Sequence, residues 1–79
     1  MVELVKFIAR SLVDKPDAVD VREVEGEDGM ILELRVDPDD MGKVIGKQGR
    51  IAKAIRTVVK AASARSDTMY TVEIVEEDE

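Results

Sequence analysis

The chain reads as a small α+β domain with elements in the order helix, strand, strand, helix, helix, strand, and three observations predict it. Apolar residues recur at helical spacing near the N-terminus and again after residue 49. They alternate with a period of two on either side of Glu27-Asp28-Gly29 and again after Ser66-Asp67-Thr68. Between the last two helical patterns stands a pair of glycines three positions apart, Gly46 and Gly49, with no strand between them. Two consecutive helices must carry the chain back across the sheet. A right-handed crossover then makes the last strand parallel to its neighbour, so the expected sheet has three strands, is mixed, and carries all three helices on one face.

Length and composition narrow the function. Seventy-nine residues support one domain with one modest core, spanning 1–79. Cysteine and histidine are both absent, which excludes disulfides, thiolate metal sites and catalytic dyads built on those residues. The remaining Ser, Thr, Lys and carboxylates form no catalytic constellation, so no enzyme, metal or cofactor is expected. No apolar run is long enough to span a bilayer and no basic leader precedes an apolar stretch, so the expected location is the cytoplasm.

Taken in order, residues 1–14 place Leu4, Val5, Ile8 and Leu12 on one helical face, with Glu3, Lys6 and Arg10 off it, and Pro16 ends the pattern. Residues 18–25 form the first strand. Val19 and Val21 share a phase that Val24 breaks. Residues 30–37 form the second, where Met30, Leu32, Leu34 and Val36 alternate cleanly, and Glu27-Asp28-Gly29 closes the hairpin. Asp37-Pro38-Asp39-Asp40 supplies an N-cap, a proline at the first helical position and carboxylates in the first turn, starting a short helix over 38–45. The glycine loop is 46–49 and the next helix 50–64. The last strand is 69–76, with Tyr70, Val72 and Ile74 in phase, and 77–79 is a frayed acidic tail.

The stretch from Gly42 to Arg65 carries seven basic residues and no acid, which leaves −13 for the rest of a chain whose net charge is −6. On a helical projection that sets Arg50 at 0° and advances about 100° per residue, Arg56, Lys60 and Lys53 fall at about 240–300°. The apolar arc, Val58, Ile51, Ala62, Ile55 and Val59, falls at about 80–180°. Unpaired like charges on one stripe repel, which makes sense where phosphates come to sit. Gly46 and Gly49, lacking Cβ atoms, can take positive φ and admit another backbone. The second glycine opens a helix whose first N–H groups lack partners and accept anions. The spacing fits neither a P-loop nor a dinucleotide fingerprint, and the structural alternative is a tight helix–helix turn.

The run Val44-Ile45-Gly46-Lys47-Gln48-Gly49-Arg50-Ile51, with Ile55 one turn on, resembles the VIGxxGxxI core of the KH domain, whose GxxG loop clamps about four nucleotides of single-stranded RNA. The element order αββααβ is that of the type II KH fold, and nearly the whole chain is similar to the small bacterial single-KH proteins. By that resemblance the RNA-binding residues are Lys43, Val44, Ile45, Gly46, Lys47, Gln48, Gly49, Arg50, Lys53 and Arg56. Ile45 and Ile51 serve the core first. The resemblance also implies a homodimer, a partnership with the larger multidomain KH protein KhpB (Jag or EloR), and an RNA-chaperone role in cell shape and cell-envelope synthesis. On the helix after the loop, Ala54, Val58 and Ala61 form a strip of small side chains at about 20–80°, the candidate dimer contact. The rival reading is a KH-shaped protein-docking module without RNA affinity of its own, since net acidity opposes polyanion binding.

Overall fold

A computed structural model describes residues 1–76; the acidic tail expected at 77–79 lies outside the described residues. Helix α1 (Val2–Leu12) leads through a 3₁₀ turn at Pro16–Ala18 into β1 (Asp20–Glu25). Strand β2 (Met30–Arg35) follows, then a 3₁₀ turn at Pro38–Asp40 and α2 (Met41–Ile45). A further 3₁₀ turn at Lys47–Gly49 opens α3 (Arg50–Ser63), and β3 (Tyr70–Ile74) closes the fold. The sheet order is β1-β2-β3, with β1 antiparallel and β3 parallel to β2. The mixed sheet and the αββααβ order are those the sequence predicts.

Alternation along β2 and β3 sends Leu32, Leu34 and Val72 into the core, where they meet Val5 and Ala9 of α1, Val44 of α2, and Ile55 and Val59 of α3. The helices pack on this one face, α1 against β1 and α3 against β3. The opposite face is polar: Arg22, Glu33 and Glu73 lie in register across the three strands, and ion pairs join Arg35 to Glu33 and Arg22 to Asp20. The broken phase of β1 has a physical origin. Glu23 pairs with Leu32 on the core side, yet it stays exposed, as does the rest of this edge strand from Arg22 on. Val24 pairs with Ile31 on the polar face.

Two expectations about helix faces are corrected. The buried arc of α3 is Ala52, Ile55, Val59 and Ser63, whereas Val58 is 45% exposed and Ala62 is exposed. The arc therefore centres nearer 180° than 100°. The small Ala52 and Ser63 let α3 sit close on the sheet, and neither carries a hydropathy signal that a projection would pick up. In α1, likewise, Ala9 is fully buried while Leu12 is 36% exposed, because the small residue marks the line of closest approach.

The turn before α2 is built as its residue types dictate. Asp37 Oδ1 accepts from the Asp39 N–H at 2.9 Å, and Pro38 takes the first position, where its missing N–H costs nothing. Asp40 goes beyond that scheme: it is 1% exposed, and its carboxylate accepts from the Asp14 N–H at 3.2 Å and the Lys15 N–H at 3.0 Å. The start of α2 is thereby tied to the end of α1.

Candidate nucleic-acid interface

The loop is built from backbone geometry first. Gly46 has φ 77° and ψ 174°, a conformation essentially reserved for glycine. A Cβ at Gly46 would lie 2.5 Å from Ile51 Cγ1, so Ile51 packs directly on the bare Cα. Gln48 (φ 58°) and Gly49 (φ 74°) both take the left-handed conformation. For Gln48 that costs about 1–2 kcal/mol, a strain that residue type alone does not reveal. The Gly49 N–H donates to Gly46 O at 3.1 Å and the Gly46 N–H to Gly42 O at 2.9 Å, so the loop is a closed turn rather than a slack connection. Lys47 and Gln48 point outward at its exposed tip.

Gly49 is the N-cap of α3 and offers no side chain to the first-turn N–H groups; no acid lies in that turn. The donors left over there and the positive end of the helix dipole make it receptive to an anion. Lys47, Arg50, Lys53, Arg56 and Lys60 form no ion pair among the described residues; the nearest polar contact of Arg50 is its Nη2 donating to Gln48 Oε1 at 3.4 Å.

Helix α3 presents different chemistry on its two flanks. Toward β3, a groove of about 310 Å³ runs between Arg56 and Lys60 on one wall and Met69, Tyr70, Thr71 and Val72 on the other. Arg56 is exposed, and its Nε donates to the carbonyl of the buried Val72 at 3.3 Å across the groove. Toward α1, an almost wholly apolar trough of about 350 Å³ is lined by Ile8, Leu12, Ile51, Ala54, Ile55 and Val58, with Arg50 at one end. Ala54, Val58 and Ala61 are all exposed, and Ala54 and Val58 share this apolar trough with Arg50.

The structure separates the expected site residues into groups. Gly46, Lys47, Gln48, Gly49 and Arg50 form the loop and its exit, and Lys53 and Arg56 continue from it along α3. Val44 is fully buried, and Ile45 and Ile51 are half-buried against the core, so these three support the loop from beneath. Lys43 belongs to a different network. Its ammonium lies 3.2 Å from Asp14 and 3.5 Å from Asp40, and the hydrogen bond and charge of Asp14 outweigh desolvation and raise its pKa. Burial works to raise the Asp40 carboxyl, yet the Asp14 and Lys15 N–H groups and the Lys43 charge prevail and hold it below the ordinary value. Lys15, bridging Asp39 and Asp37, is likewise raised, chiefly by its hydrogen bond to Asp39. Spacing hides most of this network because the Asp14 and Lys15 N–H groups lie 26 and 25 residues from Asp40 in sequence.

Comparison with known proteins agrees with this geometry. A family description, KhpA/KhpB KH domain, matches residues 2–74. A protein of Clostridium perfringens named RNA-binding protein KhpA is 67% identical over 75 residues, covering 95% of this chain and all of the relative. Proteins of the same name from Caldanaerobacter subterraneus and Aquifex aeolicus are 61% and 49% identical, with coverage of 95% and 94% of this chain and 100% and 94% of the relatives. No solved structure matches the chain significantly.

Proposed function

The chain belongs to the KhpA/KhpB KH-domain family, and on that premise we propose that it binds single-stranded RNA, with the phosphates held at Gly46–Gly49 and along Lys53 and Arg56. The observation that carries this reading is the loop itself: three of its four residues take positive φ, and Lys47 and Arg50 form no ion pair among the described residues. Bases would lie in the groove between α3 and β3, where Arg56 and Tyr70 face one another. The test is the double substitution Lys47→Asp with Gln48→Asp. Both side chains are exposed, so the fold is expected to persist while affinity for a single-stranded oligonucleotide is nearly lost, because negative charge replaces positive where phosphate approaches. Native circular dichroism with undiminished affinity overturns the assignment.

A clamp of about four nucleotides binds weakly by itself, so use in the cell calls for a second site in the same assembly. Family resemblance supports a homodimer, association with KhpB, and a role as an RNA chaperone or post-transcriptional regulator in the cytoplasm affecting cell shape and the cell envelope; the exposed strip of Ala54, Val58 and Ala61 on α3 is the surface we assign to the dimer contact. The net charge of −6 favours one second reading, a docking module of the same shape that binds protein instead of RNA.

A further inference from the structure

The stretch of cations without acids has a counterpart. Residues 23–34 carry five acids and no Lys or Arg, and residues 66–76 carry three more, again without a cation. Folding sets the two stretches side by side, because β2 pairs with β3 from Met30 and Tyr70 onward. Glu33 and Glu73 become register partners on the sheet face that no helix covers, and like charges directly opposite cost stability. Arg35 lies 3.5 Å from Glu33, but Glu23, Glu25, Glu27, Asp28 and Glu73 are exposed and form no ion pair among the described residues. Toward the hairpin the same face turns apolar. Val24, Ile31 and Thr71 lie in register across the three strands, with Val24 39% exposed and Met69 nearby 52% exposed. The hairpin loop, Ile31, Met69 and Thr71 line a concavity of about 180 Å³ there.

This concavity has fixed walls. The Gly26 N–H donates to Gly29 O at 2.7 Å and the Met30 N–H to Met69 O at 2.9 Å. Gly29, at φ 147°, lies so close to the start of β3 that a Cβ on it would collide with the Met69 carbonyl. The volume is below the ~300–1,000 Å³ of small-molecule sites and suits one long side chain. We propose that this end of the open sheet face docks a basic segment of a protein partner, one of whose arginine side chains enters the concavity. The stem of that arginine lies on Ile31 and Met69, its guanidinium meets Glu27 and Asp28, and a second cation of the segment answers Glu73. An apolar floor rimmed by unpaired carboxylates matches a side chain with an apolar stem and a weakly hydrated charged head. The same carboxylates repel nucleic acid, so the occupant is a polypeptide.

The experiment titrates the isotope-labelled chain with a blocked pentapeptide of alternating glycine and arginine and follows the methyl resonances of Ile31, Val24 and Met69. Shifts are expected at these methyls and at the Gly26–Gly29 amides. The double substitution Glu27→Gln with Asp28→Asn is expected to weaken the peptide about three- to tenfold, the scale of two exposed ion pairs, and Met69→Ala about threefold; all three side chains are exposed, so the fold persists. The control is Asp17→Asn with Asp39→Asn, which removes the same charge from the 3₁₀ turns at the other end of the sheet and should leave the affinity unchanged. Equal loss in the control overturns the proposal, since it marks general attraction to a chain of net charge −6. Shifts centred elsewhere, or none at millimolar peptide, also overturn it. So does a fall in sedimenting mass of the peptide-free Glu27→Gln, Asp28→Asn chain, which gives the surface to a second copy.

Discussion

Substituting Gly46 with alanine should cost far more than the same change at Gly49, although both are glycines of one loop and both have positive φ. At Gly46 the backbone conformation is nearly exclusive to glycine, and holding alanine there costs about 1–3 kcal/mol. The new Cβ would also stand 2.5 Å from Ile51 Cγ1 and 2.8 Å from Ile51 Cβ, which are not the free end of a flexible chain. Ile51 is half-buried against the core and must move, an overpacking cost of about 1–3 kcal/mol. Together these come to about 2–6 kcal/mol out of the ~4–12 kcal/mol expected for a domain of this length. At Gly49 the left-handed conformation costs alanine about 1–2 kcal/mol, and nothing lies within 4 Å of the added atom. Thermal unfolding followed by circular dichroism should therefore show a drop of about 4–16 °C for Gly49→Ala. The drop for Gly46→Ala should be about two to three times as large, or the variant should not fold. Equal midpoints for the two variants would refute the claim that Ile51 is seated on Gly46.

Three other expectations follow from the charges and the exposed strip. If the loop and the α3 stripe neutralise about three to five phosphates, the log–log slope of RNA affinity against salt should be about −2 to −3.5; a flat dependence favours the protein-docking reading. Val58→Asp should give a folded monomer with weakened RNA binding in sedimentation and titration, because Val58 is 45% exposed and a carboxylate there burdens an interface more than the core. A variant that stays dimeric moves the interface elsewhere, with Phe7, 70% exposed on α1, the next candidate. Stability should be level through neutral pH and fall at both ends. Asp40, depressed in the folded state, loses its contribution as pH drops below its ordinary value of 3.8, and Lys43 and Lys15, raised, lose theirs as pH climbs above 10.5. Unfolding midpoints across that range check this, and Asp40→Asn should lower the midpoint at neutral pH while flattening the acid limb.

The sequence by itself determined the order of elements, the mixed sheet and the position of the loop, because each depends on local signals. Alternation over Met30–Val36 specifies one buried face, Asp37-Pro38 starts a helix, and two glycines three apart interrupt one. The segregation of seven cations into a stretch without acids needs no coordinates either. What it could not determine is which of several similar residues meets a distant one. Ala9, Ala52 and Ser63 are buried because small side chains let helices approach the rest of the fold, a fact about the partner surface and not about the residue. Lys43 reads as one more member of a basic run, yet its ammonium is held by its near neighbour Asp40 and by Asp14, and only the docking of α2 against the end of α1 brings Asp14 to it. The same holds for the glycines. Identical in sequence, Gly46 is fixed by Ile51 beneath it while Gly42 has open space, and that difference exists only once the chain has folded around them.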